Sequence, residues 1–299
     1  MWDQLLSKIL HGDVRSIARS ISLIENEVPG YEELLTALPH HTTPIIGITG
    51  PPGAGKSTLV DALIGEIVYQ QKSVAVLCVD PSSPFNLGAL LGDRIRMSSW
   101  YNHPSVYIRS LATRGALGGL HPNIIEITEL LKVTPFDYII VETVGVGQSE
   151  IEIVGLADCT TVVLVPEAGD EIQTMKAGLM EIADIFLVNK SDRPDADRFI
   201  HNLRAMLAPA FKQEHSVPVI KTIAFEKQGI REWLHAIEAQ LEAPSYSDKR
   251  SWLLAERAYH LIERKRMKDV NKQRLKEAIE DLQDRHAFNL YQFVQQFSS

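Results

Sequence analysis

The fold of this chain is decided by the stretch Gly50-Pro51-Pro52-Gly53-Ala54-Gly55-Lys56-Ser57. It fits the pattern G-x-x-x-x-G-K-[ST], in which the backbone N–H groups of a glycine-rich loop surround phosphate oxygens. An apolar run precedes the stretch at 44–49, and a segment of helical character follows it at 58–64. Strand, glycine loop and helix form the context that the pattern requires, and a helix N-terminus favours anions. The sequence therefore predicts a P-loop that binds nucleotide phosphates.

Two side chains of the P-loop carry chemistry of their own. In this motif the lysine reaches the β- and γ-phosphates, and the hydroxyl after it ligates Mg²⁺. We therefore expect Lys56 to contact the phosphates and Ser57 to bind the metal. The residues expected to contact the nucleotide here are Gly50, Pro51, Pro52, Gly53, Ala54, Gly55, Lys56, Ser57 and Thr58.

Composition and charge limit the classes of protein that fit. The chain has 299 residues, of which 45% are hydrophobic and 23% are charged, as in ordinary globular proteins. A net charge of −8 argues against nucleic acid as a partner, because phosphate backbones need a basic face. No run reaches the roughly eighteen apolar residues of a membrane span, and the N-terminus lacks a signal-peptide pattern. We expect a cytoplasmic protein in which Cys78 and Cys159 are buried core thiols.

From residue 44 onward, short apolar runs alternate with helical patterns, which is typical of parallel βαβ units. The runs are near-continuously apolar, as in strands covered on both faces. They lie at 45–48, 74–79, 106–108, 138–141, 161–165, 185–188 and 217–220. The predicted fold class is α/β, a P-loop NTPase with a mostly parallel sheet flanked by helices. We expect an N-terminal helical extension at 1–43, a P-loop GTPase domain at 44–243 and a C-terminal helical arm at 244–299.

The N-terminal segment is expected to be helical up to residue 38. Asp13, which follows Gly12, can cap a helix there. The residues expected to face inward from that helix are Val14, Ile17, Ala18, Ile21 and Ile24. The pair His40-His41 lies in a linker flanked by prolines, where a solvated pair is favoured over metal ligands.

Two carboxylates follow the apolar run at 74–79. Asp80 comes directly after the run, and Asp93 lies in the polar loop that continues from it. Ligands of an open parallel sheet bind at the carboxyl ends of its strands, so both can address a P-loop Mg²⁺. Asp80 can also form a turn before Pro81, and Asp93 can cap a helix. The upstream P-loop favours metal binding for both.

A third acidic residue, Glu142, directly follows the run at 138–141. P-loop enzymes place another Mg²⁺ partner at this position, the end of an apolar strand. Gly145 follows and can offer its N–H to the γ-phosphate without an obstructing side chain. The loop at 146–150 can sense whether that phosphate is present. Gln148 can orient the attacking water, although a polar loop residue without that role is favoured. The expected catalytic residues are Lys56, Asp93, Glu142 and Gly145.

The stretch Asn189-Lys190-Ser191-Asp192 follows the run at 185–188 and fits the guanine-recognition pattern N-K-x-D. The carboxylate of Asp192 can accept hydrogen bonds from the ring N–H and the exocyclic amine of guanine. Adenine offers neither in that arrangement and leaves a buried carboxylate unpaired. The methylenes of Lys190 can lie along the base, and Asn189 can connect this loop to the P-loop. Three further residues are expected beside the base: Ile223, Ala224 and Phe225. The sequence therefore predicts binding of GTP and GDP.

A linker at 244–248 precedes a strongly charged helical segment. Its apolar residues recur at helical spacing on one face: Trp252, Ala255, Tyr259, Ile262, Leu275, Ile279 and Leu282. The pattern is equally compatible with a helical cap on the same domain and with a dimerisation arm.

Together these motifs resemble the MeaB/ArgK family of methylmalonyl-CoA mutase-associated GTPases, a metallochaperone-like branch of P-loop proteins. The most specific matches are 80–83 (DPSS), 91–97 (LGDRIRM), 112–119 (ATRGALGG) and 142–150 (ETVGVGQSE). The resemblance implies a cytoplasmic, homodimeric GTPase that acts as a chaperone of an adenosylcobalamin-dependent acyl-CoA mutase. It also implies gating of cobalamin loading and protection of the mutase. The residues that it places around Mg²⁺ are Ser57, Asp80, Asp93 and Glu142.

The resemblance further implies three switch segments, at 80–93, 142–150 and 169–176, the last of which contacts the mutase. It makes the C-terminal helices a dimerisation arm. The sequence departs from the family pattern where Leu87 replaces a glycine, Glu167 replaces the first glycine of the third switch, and Ile223 replaces a serine. These departures leave open which acyl-CoA mutase is the partner.

Two other functions compete with this interpretation. A metallochaperone GTPase delivers nickel, cobalt or zinc to an enzyme, and its relatives commonly carry histidine-rich tracts or Cys-x-Cys ligands near the nucleotide. This sequence has neither. A kinase of a transport protein needs a phospho-acceptor site, and no such site is recognisable in the sequence.

Overall fold

A seven-stranded sheet forms the centre of the chain in the computed structural model, which describes residues 2–81, 97–114, 119–144, 150–168, 183–207, 217–243, 248–267, 270–284 and 288–295. The strands are β1 (Ile45–Thr49), β2 (Val74–Asp80), β3 (Val106–Ala112), β4 (Tyr138–Glu142), β5 (Cys159–Leu164), β6 (Ile185–Val188) and β7 (Val219–Lys221). Their order is β3-β2-β4-β1-β5-β6-β7, and all neighbours pair in parallel. The predicted α/β class with a parallel sheet is confirmed.

Helices precede, flank and follow the sheet. Within the described ranges they are α1 (Trp2–Leu10), α2 (Val14–Glu25), α3 (Tyr31–Thr36), α4 (Lys56–Tyr69), α5 (Ile124–Lys132), α6 (Glu150–Leu156), α7 (Ala196–Leu207), α8 (Ile230–Glu242), α9 (Asp248–Arg266), α10 (Lys272–Asp284) and α11 (Leu290–Gln295). No helix in these ranges has both the length and the apolar character needed to cross a bilayer.

The strands form because their residues are buried on both faces of the sheet. Every residue of β1, β2, β4, β5 and β6 is buried, in agreement with the apolar runs of the sequence. Cys78 and Cys159 belong to this buried set, as predicted. Strand β3 continues four residues past the predicted run at 106–108, through Arg109 and Ser110 to Ala112. Arg109 and Ser110 can belong to the strand because β3 lies at the edge of the sheet, where their side chains are only partly buried. Their backbones pair with β2 as those of apolar residues would.

Helix α2 begins where the sequence predicts. The carboxylate of Asp13 accepts a hydrogen bond from the Ser16 N–H at 2.8 Å, and hydrogen bonds from the side chain and the backbone of Ser16 lower the pKa of Asp13. Ile17, Ile21 and Ile24 are buried, as expected for its inner face. The expectation for Val14 is wrong, because its side chain lies on the solvent-facing first turn and is 50% exposed.

The chain divides into two compact units, residues 1–250 and 251–299. The first unit contains the N-terminal helices together with the sheet. The second carries large apolar side chains on its surface, because Trp252, Tyr259 and Ile262 on α9 are all more than half exposed. The predicted boundaries at 43 and 243, and the role of the second unit as a dimerisation arm, stay predictions.

Gly47 sets the distance between β1 and α6. A Cβ atom at this position would lie 2.6 Å from Ile153 Cγ1 and 2.9 Å from the Ala157 Cβ. Both contacts are shorter than a real Cβ tolerates, and the Ala157 Cβ, one residue after α6, is not the far end of a flexible side chain. Only glycine therefore allows α6 to pack this closely on the strand that leads into the P-loop.

The substitution Gly47→Ala should lower the free energy of unfolding by about 1–3 kcal/mol, the usual cost of overpacking a core. Gly65→Ala is the matched control, because a Cβ at Gly65 meets Trp100 at an ordinary 3.6 Å. Gly65 lies inside α4, so alanine there should be neutral or stabilise by about 0.5–1 kcal/mol. Urea denaturation of both variants measures the difference, and equal stability of the two variants would contradict the packing argument.

Candidate functional site

The carboxyl ends of the strands bring the predicted site residues to one edge of the sheet. Strand β1 lies between β4 and β5, and its register aligns Ile48 with Glu142. Strand β2, which follows β1 in the chain, lies on one side of β1 in the sheet. Strand β6, which follows the neighbouring β5, lies on the other side. This divergence is a topological switch point, where open α/β sheets bind ligands. The P-loop follows β1 at this point.

The shape of the P-loop depends on two glycines. Gly50 has a φ of 143°, and a Cβ there would lie 2.2 Å from the carbonyl oxygen of Val163. Gly55 has a φ of 90°, and a Cβ there would lie 2.5 Å from Asn189 Nδ2. Both positions combine a backbone conformation that favours glycine with a close approach by another element, strand β5 at Gly50 and the loop after β6 at Gly55. The glycine spacing of the motif is therefore a steric requirement of this fold.

Lys56 begins helix α4 and is buried against the loop. Its Nζ donates hydrogen bonds to the carbonyl oxygens of Gly50, at 2.8 Å, and Pro51, at 3.1 Å. The ammonium group is thus held at the mouth of the loop, beside the N-terminus of a fourteen-residue helix. A cation and a helix N-terminus at one place favour a phosphate.

Three side chains with oxygen atoms, Ser57, Asp80 and Glu142, lie at the start of α4 and at the ends of β2 and β4. The Ser57 hydroxyl donates to Glu142 Oε1 at 2.7 Å, and both residues are buried. Asp80 is also buried, at the last position of β2. Hydroxyl and carboxylate oxygens are the ligands that Mg²⁺ prefers, so this donor set fits that ion. Asp93, the fourth predicted ligand, lies outside the described residues.

Asn189 joins the predicted base-recognition loop to the P-loop. Its side chain is 2% exposed. Nδ2 donates to the Ala54 carbonyl at 2.9 Å, and Oδ1 accepts from the Ala224 N–H at 3.2 Å. One amide therefore holds together the loops that follow β1, β6 and β7.

The other base-loop residues surround the same place. Lys190 has a φ of 57° and donates from Nζ to the Gly53 carbonyl at 2.8 Å. The Asp192 side chain is exposed, and Ala224 is buried. Phe225 lies in the turn Ala224–Glu226, which directly follows Ile223, and its side chain is 89% exposed. The structure thus gathers the predicted phosphate and base residues at one edge. The remaining predicted residues, Gly145, Gln148, Leu87 and the loop 169–176, lie outside the described ranges.

Sequence reasoning did not find an ion pair between the loops that follow β5 and β6. Arg193, directly after Asp192, pairs with Glu167, and each side chain is about half exposed. Glu167 is one of the departures from the family pattern, and the structure gives it a partner beside the base-recognition loop. No local sequence signal announces the pair, because the partners become neighbours only when β5 and β6 pair.

Comparisons with known proteins agree with this geometry. A family model described as "Methylmalonyl Co-A mutase-associated GTPase MeaB" matches residues 17–279. A putative GTPase of Pyrococcus abyssi is 45% identical over 248 residues, which cover 81% of this chain and 76% of the relative. The family-model match spans the P-loop, the acidic strand ends and the base-recognition loop.

Two further similarities extend the comparison. A fused isobutyryl-CoA mutase of Cupriavidus metallidurans is 37% identical over 238 residues, which cover 75% of this chain and 22% of that protein. A solved structure titled as an LAO/AO transport system kinase has a TM-score of 0.70 and 24% identity, covering 99% of this chain and 96% of the other. At that identity the structural match shows a common fold.

The substitution Asn189→Ala should weaken GDP binding by roughly 10- to 100-fold, because the Ala54 carbonyl and the Ala224 N–H each lose a buried hydrogen-bond partner. Fluorescence titration with a labelled GDP measures the affinity. Asn202→Ala, at an exposed position of α7, is the matched control and should bind normally. If Asn189→Ala unfolds more easily yet binds GDP with unchanged affinity, the bridge has only a structural role.

Proposed function

Because this chain belongs to the MeaB family of methylmalonyl-CoA mutase-associated GTPases, we propose that it is a GTP-driven chaperone of an adenosylcobalamin-dependent acyl-CoA mutase. In this proposal it gates loading of the cobalamin cofactor and protects the mutase. The observation that carries the proposal is the fused isobutyryl-CoA mutase, in which a region 37% identical to this chain belongs to a mutase polypeptide. Fusion keeps two modules at high effective concentration, as expected for partners that act on each other.

The chain is a GTPase and binds guanine nucleotides. In our proposal the P-loop amides and Lys56 hold the phosphates, and the exposed carboxylate of Asp192 recognises the base. Lys56 exchanges its bonds to the Gly50 and Pro51 carbonyls for bonds to phosphate oxygens. Asn189 keeps the two loops at a fixed separation, so base and phosphate recognition reinforce each other.

We assign the Mg²⁺ site to Ser57, Asp80 and Glu142, together with Asp93. When bound, Mg²⁺ neutralises charge that develops on the phosphates during transfer. The contribution of this chain is to fix the oxygen donors: the hydrogen bond between Ser57 and Glu142 orients both side chains, and burial keeps competing water away. Gly145 offers its N–H to the γ-phosphate in the same proposal.

Contact with the mutase is assigned to the segment 169–176. It follows the turn Pro166–Ala168, whose Glu167 pairs with Arg193 of the base-recognition loop. The turn that leads into the segment is therefore joined by an ion pair to the residue that follows Asp192. Dimerisation through the C-terminal helices and a cytoplasmic location complete the proposal, and the exposed Trp252 and Tyr259 on α9 support a partner helix.

The variant Glu142→Ala should hydrolyse GTP at least about a hundredfold more slowly while it retains GDP, because the metal chiefly stabilises charge in the transition state. Single-turnover hydrolysis and labelled-GDP binding are measured on the same preparation. Glu33→Ala, an exposed glutamate on α3, is the control and should match the unmodified chain in both assays. Normal hydrolysis by Glu142→Ala would remove Glu142 from the proposed site.

The partner mutase should accelerate GTP hydrolysis, since contacts supplied by a partner can contribute roughly a thousandfold or more. Alanine at Asp170, Glu171 and Lys176 should remove this stimulation and leave nucleotide affinity and basal turnover unchanged. The matched control replaces two exposed acidic residues and one exposed basic residue of α8: Glu232, Glu242 and Arg231. GTPase kinetics are measured with and without methylmalonyl-CoA mutase and isobutyryl-CoA mutase.

Stimulation by either mutase in the unmodified chain, and its loss in the first triple variant alone, supports the proposal. Stimulation that survives in that variant removes the contact role of 169–176. If neither mutase has an effect, and if instead nickel, cobalt or zinc binds tightly in calorimetry, the chain is a metallochaperone GTPase.

A further inference from the structure

Two arginines of the edge strand β3 and its following turn connect the sheet to the end of helix α2. Arg109 donates to Ser22 Oγ at 3.0 Å and pairs with the carboxylate of Glu25. Arg114 donates to the backbone carbonyl of Glu25 and, at 3.1 Å, to Asn26 Oδ1. The C-terminal end of α2 is thereby fastened to the middle of β3, at Arg109, and to Arg114, two residues after the end of the strand.

The anchor side of this connection is firmly placed. Ile17, Ile21 and Ile24 of α2 are fully buried, and Asn123 Nδ2 donates to the Ile24 carbonyl at 3.1 Å. Helix α2 is therefore fixed to the rest of the domain, and the Arg114 guanidinium holds the turn after β3 against the end of this helix.

The backbone of Arg114 is in the left-handed region, with a φ of 48°. A residue with a Cβ adopts this conformation only at an energetic cost, and such outliers persist where surrounding contacts impose them. Here the contacts are the two bonds to Glu25 and Asn26. The turn after β3 is therefore held in place by the arginine.

Asp80 depends on β3 for its backbone position. Among the described residues, the pairing of β2 with β4 ends at Cys78 and Glu142. Its pairing with β3 continues to Asp80 and Ala112, and the Thr113 N–H then donates to the Asp80 carbonyl at 3.0 Å. Thr113 directly precedes Arg114. The end of β2 that carries the proposed metal ligand is therefore aligned by the end of β3.

We propose that Arg114 is a positioning residue for Asp80: by clamping the end of β3 to α2, it keeps the Asp80 carboxylate in place for Mg²⁺. The proposal rests on the assignment of Asp80 to the Mg²⁺ site. Edge-strand ends open locally when few contacts hold them. Without the guanidinium, the left-handed turn relaxes and the hydrogen bond to the Asp80 carbonyl becomes intermittent. The N-terminal helices thus act on the metal side of the site without touching the nucleotide.

The test measures release of a fluorescent GDP from the full chain in two buffers, one with Mg²⁺ and one with EDTA. In Mg²⁺, Arg114→Ala should release GDP about tenfold faster than the unmodified chain, as expected when charge-assisted hydrogen bonds are lost. In EDTA the two rates should be equal, because the P-loop and base contacts are unchanged. Arg19→Ala, an exposed arginine on the same helix α2, should behave as the unmodified chain in both buffers.

Two further variants protect the test against loss of folding. Asn26→Ala removes one acceptor of the Arg114 guanidinium. It should speed GDP release in Mg²⁺ by a smaller factor than Arg114→Ala does. Arg114→Lys keeps the charge but loses the fork that reaches two acceptors, so it should lie between Arg114→Ala and the unmodified chain. Thermal unfolding of each variant identifies those that fold.

Asp80→Asn separates failure of the clamp from failure of the metal assignment. If this variant loses the Mg²⁺ effect and Arg114→Ala keeps it, the clamp is overturned and the metal assignment stands. If Asp80→Asn retains the full effect, the metal assignment and the clamp both fail. Equal acceleration of Arg114→Ala in Mg²⁺ and in EDTA also overturns the proposal, because it shows a general loss of structure.

Discussion

The buried side-chain amide of Asn189 is the interaction on which the rest of the site depends. It uses a donor and an acceptor at once, holding the Ala54 carbonyl of the P-loop and the Ala224 N–H after β7. The same atom, Nδ2, comes so close to Gly55 that any Cβ there would collide with it. The glycine of the P-loop and the asparagine of the base loop therefore require each other. An amide carries a donor and an acceptor side by side, so one side chain satisfies both backbone partners.

The parallel sheet explains why so much of this arrangement could be predicted from the sequence. Strands covered on both faces must be apolar throughout, so β1, β2 and β4 stand out, and the residues at their ends must meet at one edge. Glu142 and Asn189 could be placed together for this reason alone. The prediction was weaker at β3, because Arg109 and Ser110 interrupt the apolar run of an edge strand whose pairing continues through the backbone.

Other contacts have no local signature in the sequence. Arg193 and Glu167 meet because β5 and β6 are neighbours, and Arg114 reaches α2 because that helix packs beside the edge of the sheet. Each is a polar contact between elements far apart in the chain, so periodicity and spacing carry no information about it. Val14 shows the same limit, since helical spacing assigns it to the inner face while its place in the first turn leaves it exposed.

Lys56 and Ser57 already hydrogen-bond to other groups of the site, which bears on the free energy of nucleotide binding. Lys56 donates to the Gly50 and Pro51 carbonyls, and Ser57 donates to Glu142. A phosphate contacting Lys56 competes with those carbonyls, whereas a metal can bind a lone pair of the Ser57 oxygen while the hydroxyl still donates to Glu142. Affinity is therefore a difference between two sets of strong contacts, smaller than either set alone.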